Sequence, residues 1–152
     1  MKHLKKVAVA AVVAIFVPGA VFATGDPDAC SARTLRGTYV FSASGFTVNP
    51  VSGIVQPKAI VEVIDFNGDG TLAVPAATRS VNGVVARSLP GVGSYTVNED
   101  CTGTITFDGG PSFDIFVAPR GNTLWLIQTN PNNVFPGSAT RVSRDRHDRD
   151  SQ

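Results

Sequence analysis

Histidine is nearly missing from this chain. Of its 152 residues only two are His, at the extreme ends, His3 and His147. Neither a Ser–His–Asp triad nor a Cys–His pair can therefore be assembled in the body of the chain. No Cys/His spacing suited to zinc occurs, and no glycine-rich phosphate loop leads into a helix. Long apolar runs are missing as well. The longest spans the eleven residues from Val7 to Val17, whereas a bilayer-spanning helix needs roughly 20. That run follows Lys2, Lys5 and Lys6 and precedes a small-residue stretch ending at Ala23. A basic start, a short apolar core and a small-residue site read as a secretory signal peptide over residues 1–23. The expected location is secreted or periplasmic, with no membrane insertion once the signal is cleaved.

Lysine is scarce beyond that point, with Lys58 alone beside nine Arg against twelve Asp and Glu. The part after Ala23 is slightly acidic, and it lacks the basic footprint that nucleic acid requires. Straight-chain helix formers are few there, eleven against 34 Val, Ile and Thr. β-branched residues suit pleated sheets, and long unbranched ones suit helices. The class is all-β. The two cysteines, Cys30 and Cys101, lie in the exported part, where one pair allows one connectivity. A structural disulfide is the expectation.

Apolar alternation separated by turn signals gives strands near Thr38–Ala43, Ala59–Phe66, Thr71–Val81, Val84–Leu89, Gly93–Val97, Thr102–Phe107, Phe113–Ala118, Leu124–Thr129 and Ser138–Val142. Asn67-Gly68, Asp69-Gly70, Asn82-Gly83 and Asp108-Gly109 supply the positive φ that tight hairpins need. Connections this short force each strand to pair antiparallel with its neighbour. Closing the meander removes its two edges. The expected domain is an antiparallel up-and-down β-barrel of about eight strands over residues 35–142. An extended lead-in (24–34) precedes it. A charged tail (143–152) follows, alternating Arg and Asp, with nothing apolar to bury.

Several segments together resemble a known family. They are Cys30-Ser-Ala-Arg-Thr-Leu-Arg-Gly-Thr-Tyr-Val-Phe41, Asp65-Phe-Asn-Gly-Asp-Gly-Thr-Leu72, Gly93-Ser-Tyr-Thr-Val-Asn-Glu-Asp-Cys-Thr-Gly-Thr104 and Leu124-Trp-Leu-Ile-Gln-Thr129. In this layout, over roughly residues 30–142, the chain is similar to secreted bacterial proteins of the allene oxide cyclase barrel-like type, which are small calycin-like barrels. The resemblance implies a barrel that holds, or shapes, a small reactive or apolar molecule without a cofactor. Gly37-Thr38-Tyr39 is also similar to the Gly-x-Trp opening of lipocalin and avidin barrels. That likeness turns Tyr39, Phe41 and Ala43 inward, and Gly93-Ser94-Tyr95 repeats the pattern.

The remaining candidates come from the residues themselves. Glu62 shares a strand face with Ile60, Ile64 and Phe66. An acid there is a ligand anchor or proton donor, unless it pairs with an arginine such as Arg141 or faces outward. Asp114 is a weaker candidate of the same kind. Trp125 shares a face with Ile127, but the opposite face, Leu124 and Leu126, is apolar too. A barrel with a wet outside should not carry such a strand. Either a cover formed by Ser42–Pro57 or a second subunit is expected to shield it. Asp65-x-Asn67-x-Asp69-Gly70 opens like a calcium loop, but Ala76 stands where a bidentate Glu belongs, so a hairpin is expected and no metal. The interior site is thus read as Tyr39, Phe41, Glu62, Tyr95 and Trp125. The leading function is binding of a small apolar or amphipathic molecule. The rivals are a cofactor-free cyclase or isomerase assisted by Glu62, and a structural module with a solid core.

Overall fold

The computed structural model describes residues 29–143. The expected signal peptide, and the charged tail beyond Ser143, lie outside the described residues. Within them ten strands form in chain order: β1 (Arg36–Val48), β2 (Val55–Asn67), β3 (Thr71–Val81), β4 (Val84–Ala86), β5 (Gly91–Val97), β6 (Thr102–Phe107), β7 (Ser112–Val117), β8 (Thr123–Gln128), β9 (Asn133–Val134) and β10 (Pro136–Ser143). Two short 3-10 turns, Ala32–Thr34 and Pro119–Gly121, complete the set.

Eight of these strands, in the order β1-β2-β3-β5-β6-β7-β8-β10, run antiparallel, and β10 pairs back onto β1 to close the barrel. The expected all-β barrel is what the chain adopts. It departs from a plain meander in two places. β4 pairs only with the last residues of β3, so β5 joins β3 rather than its sequence neighbour. β9 adds to the far end of β1 at Phe46 and Thr47.

The segment Ser42–Pro57 is not a cover. It continues β1 and β2 as one long hairpin, paired from Ser42–Val61 out to Val48–Val55, with its tip at residues 49–54. Its glycines and prolines suggest a loop, but Gly45 and Pro57 lie within the strands, and only Pro50 and Gly53 fall in the tip. A Cβ at Gly45 would overlap the Val134 carbonyl oxygen, so only glycine lets β9 cross there.

Two hairpin turns are built from one local sequence, Asn-x-Asp-x-Thr. Asp69 Oδ1 accepts from the backbone N–H and hydroxyl of Thr71, at 2.9 and 2.7 Å, and Asn67 Nδ2 donates to the same hydroxyl at 2.8 Å. Asp100, Thr102 and Asn98 repeat this at 3.0, 2.6 and 3.0 Å. The carboxylates of the calcium-like segment are thus turned inward on their own turn, and Asp65 Oδ1 accepts from Thr38 Oγ1 at 2.7 Å. In the second turn Cys101 takes the positive-φ place, at 66°, that Gly70 fills in the first. There its sulfur bonds that of Cys30, with the Cα atoms 5.0 Å apart. The disulfide ties the lead-in to the β5–β6 turn.

One end of the barrel is closed. Tyr39 and Phe66, both buried, meet edge to face at 5.0 Å, and Phe66 meets Tyr95 at 4.9 Å. Their polar atoms are all engaged. Tyr39 Oη donates to the Gly121 carbonyl at 2.5 Å and accepts from Arg141 Nε at 2.9 Å. Tyr95 Oη accepts from the Gly68 N–H at 3.0 Å and lies 2.9 and 2.8 Å from the Ala32 and Leu35 carbonyls. Arg141 Nη2 donates to the Thr34 carbonyl at 2.7 Å, so the guanidinium stitches β10 to the lead-in, across the Tyr39 ring.

Replacing Tyr39 by Phe should keep the ring packing and strip two partners from this network. Leaving buried polar groups unsatisfied costs about 1–3 kcal/mol. Urea unfolding should register a loss of that size; a change below about 0.5 kcal/mol would show that the hydroxyl network does not hold the end closed. Reducing the disulfide should cost more. It closes a loop of 71 residues, which chain entropy values at about 4 kcal/mol before strain. Thiol titration of the denatured, unreduced protein should find no free thiol.

Candidate functional site

The other end of the barrel is hollow, and a bulge in β3 explains why. Residues Val63 and Asp65 of β2 pair with Ala76 and Ala73, so Val74 and Pro75 together face the single residue Ile64. Proline cannot donate to a sheet ladder and sits where the ladder is broken. The extra residue shifts the strand's alternation by one. Leu72 and Val74 point inward before the bulge, and Ala77 is the buried residue after it. Beyond the bulge β3 leaves β5, which pairs only with Thr71–Val74, and takes up β4 instead.

A cavity of about 510 Å³ opens at this divergence. Its apolar wall includes Phe41, Ile60, Val74, Ala77, Leu89, Phe113 and Phe135. Phe113 meets Phe41 and Phe107 edge to face, each at 6.0 Å. Small residues, Ala77 and Gly91, stand here, whereas Phe66 and Tyr95 fill the closed end. The volume falls in the range of small-molecule sites, about 300–1,000 Å³.

Glu62 lies in the wall of this cavity, opposite Phe41 on β1 and Ala77 on β3. It is only 7% exposed. Among the described residues its carboxyl has no hydrogen-bond donor or cation beside it, and every fully buried polar side-chain atom is satisfied. Its oxygens therefore open onto the cavity. Burial alone pushes the carboxyl up to about 7. Desolvation penalises the ionised form, and nothing nearby offsets it.

Lys58 sits on the same face of β2, nearer the mouth. Its ammonium donates to Gln128 Oε1 and Asn133 Oδ1, both at 2.6 Å, and rides 4.1 Å over the Phe135 ring. Burial, and then the charge of Arg79, lower its pKa. Arg79 lines the same mouth from β3, in register with Ile60.

Of the residues expected at an interior site, the structure brings Phe41 and Glu62 together at the cavity. Tyr39 and Tyr95 also face inward but belong to the closed end, away from its lining. Trp125 does not complete the wall. It is 54% exposed on the outer face, paired across strands with the equally exposed Phe116. Leu124 and Leu126 take the inner face of β8, a choice that alternation left open because both faces are apolar. Asp114 also points outward, beside Thr104 and Ile127. Arg141 does not pair with Glu62. β10 places it opposite Tyr39, whereas Glu62 faces Phe41, two residues further along the barrel. Its hydrogen bonds go to the closed end instead.

Sequence reading passed over Lys58, Arg79, Phe113, Gln128 and Phe135. Lys58 was within reach, since it continues the Ile60–Glu62 face. Arg79 was not, because simple alternation from Leu72 puts Thr78 inside and Arg79 out; Pro75 was the signal of the shift. Compared with known proteins, the chain matches no family model and no curated protein.

The titration of Glu62 sets a pH dependence of stability. Its folded pKa, about 7, lies above the model-peptide value of 4.5. The stability tied to the protonated form is full below the lower value and is lost as pH rises through the upper one. Between pH 5 and 8 the wild type should lose about 2–3 kcal/mol that a Glu62→Gln variant keeps. Urea melts of both proteins at the two pH values read this difference; parallel losses would place the carboxyl in water.

Proposed function

We propose that this protein is an exported β-barrel that binds a small apolar or amphipathic molecule in the cavity at its open end. One observation carries the reading: a solitary buried carboxyl opens into a cavity that is otherwise apolar in its depth. A purely structural interior has no use for such a group, since an aliphatic side chain there would pack better and cost no desolvation. A ligand that meets Glu62 with a hydroxyl, amine or carbonyl supplies the missing partner, and the aromatic wall supplies contact area. The disulfide supports the export component, because such bonds persist in oxidising compartments. The resemblance to allene oxide cyclase barrel-like proteins supports the same use of the interior.

The titration of Glu62 also favours a second reading. A carboxyl with a pKa near 7 is suited to give and take a proton at neutral pH. A cyclase or isomerase that folds a reactive substrate against Phe41 and Phe113, with Glu62 moving one proton, fits the same cavity. The two readings part at one substitution. Glu62→Gln keeps shape and hydrogen bonding but cannot exchange the proton. A binder should lose affinity only modestly, and an enzyme should keep binding and lose turnover.

Binding itself is tested with an apolar fluorescent dye of naphthalene size. It should bind at one site per chain with an emission shift. An Ala77→Phe variant, which fills the cavity, should abolish that signal while the chain unfolds at an unchanged or higher urea concentration. A dye that binds both forms alike would place the site elsewhere, on the Phe116–Trp125 surface for instance, and sink the proposal.

A further inference from the structure

Resting on that cavity being a binding site, we infer that its ligand is an amphiphile with one anionic head, held at the mouth between Lys58 and Arg79 while the apolar body lies against Phe41 and Phe113. Lys58 and Arg79 stand on neighbouring strands. Arg79 is in register with Ile60, and Lys58 is two residues from Ile60 on the same face, so the two cations are diagonal neighbours. At about 7–8 Å between such backbone positions, two long side chains reach one small group between them.

Neither cation has a counter-ion among the described residues. Among the described residues no carboxylate forms an ion pair with Lys58 or Arg79, and Arg79 makes no hydrogen bond. The charges instead oppose each other. Two like charges facing one half-buried mouth are a cost to the unliganded protein, and a bound anion turns that repulsion into attraction. The Lys58 ammonium is also fixed beforehand. Two of its three N–H groups are committed to neutral acceptors, Gln128 and Asn133. These partners orient the cation without neutralising it, which leaves one donor and the full charge for a ligand.

The acids of the site define how many anionic groups fit. Glu62, deeper than Arg79 in register, disfavours a second negative charge inside. Asp108, on the β6–β7 turn, also lines the cavity and does so there. A ligand whose second charge lies against either acid is disfavoured. A single sulfonate, sulfate or carboxylate head, with one charge, meets the two cations alone.

The test uses two dyes with the same naphthalene body. One is 8-anilinonaphthalene-1-sulfonate, carrying one anionic group, and the other is N-phenyl-1-naphthylamine, which is neutral. The sulfonate should bind more tightly, with an affinity that falls as salt rises, since partly exposed charges are screened. Arg79→Gln removes an exposed side chain with no partner among the described residues, so the barrel should fold unchanged. This variant should weaken the sulfonate roughly five- to tenfold, the scale of one charge-assisted contact, and leave the neutral dye within twofold. Lys58→Met should act in the same direction, with circular dichroism reporting that the barrel persists. Dodecanoate, dodecyl sulfate and dodecyl phosphate as competitors then identify the preferred head. Equal binding of both dyes, insensitive to salt and to Arg79→Gln, would overturn the anionic head while leaving the cavity as an apolar site. Binding of the neutral dye alone would overturn it likewise. Failure of both dyes would remove the binding site itself and this inference with it.

Discussion

The pairing of β1 with β10 is the constraint on which the rest depends, because it turns a sheet into a vessel with one inside. A closed barrel of eight strands has an interior just wide enough to be packed or to hold one small ligand. This chain does both, at opposite ends. Arg141, on the closing strand, lies across Tyr39 on the first strand and reaches the Thr34 carbonyl of the lead-in. The same residue therefore reinforces the β1–β10 seam and ties down the segment that carries Cys30. The disulfide to Cys101 fastens that segment to the β5–β6 turn, on another part of the rim. Burial of Tyr39, Phe66, Tyr95 and Leu35 beneath this lid gives the barrel a solid core in one half, which frees the other half from having to supply it.

Much of this was legible in the sequence, and the reasons are local. Asn-Gly and Asp-Gly turns have few conformations open to them, so strand boundaries near Asn67–Thr71 and Asn82–Gly83 follow from chemistry within four residues. The pairing of two cysteines needed no geometry at all. Alternation also put Glu62 on one face with Ile60, Ile64 and Phe66, but left open whether that face turns inward. What escaped depends on distant partners. β9 is two residues long and exists only because the far end of β1 offers it an edge. The long hairpin of β1 and β2 contains Gly45 and Pro57 in its strands and Pro50 and Gly53 at its tip, residues that signal a loop until one sees which crossing or turn each allows.

The candidate site was legible only in part, for a related reason. Trp125 and Leu124 are equally apolar, and nothing local decides which of them a barrel turns inward. The bulge at Pro75 is a single-residue event, yet it reverses the parity of everything after it, and so decides whether Arg79 reaches the cavity. Arg141 was correctly read as a strand residue near the first strands, but its assignment to Glu62 needed a register that only the folded sheet supplies. A shift of two residues along a barrel is the difference between an ion pair in a cavity and a clasp at the closed end.

The two ends also differ in how they treat polar groups, and that contrast bears most on function. At the closed end Tyr39, Tyr95 and Arg141 find acceptors and donors within the chain, as buried polar groups in stable interiors do. At the open end, among the described residues, Glu62 meets no donor, Arg79 meets no acceptor, and Lys58 keeps a charge that its two neutral partners do not cancel. Burial of the Glu62 carboxyl and of the Lys58 ammonium beside Arg79 lowers the stability of the empty barrel, and ordinary aliphatic or neutral polar side chains would relieve it. Small residues such as Ala77 and Gly91 leave the adjoining space unfilled. Polar groups without a protein partner and unfilled volume thus coincide in one half of the barrel, while among the described residues the polar groups of the closed end are paired. A folding defect has no reason to be so confined, since the same short strands build both halves; a site that completes its hydrogen bonds and its packing with a guest does.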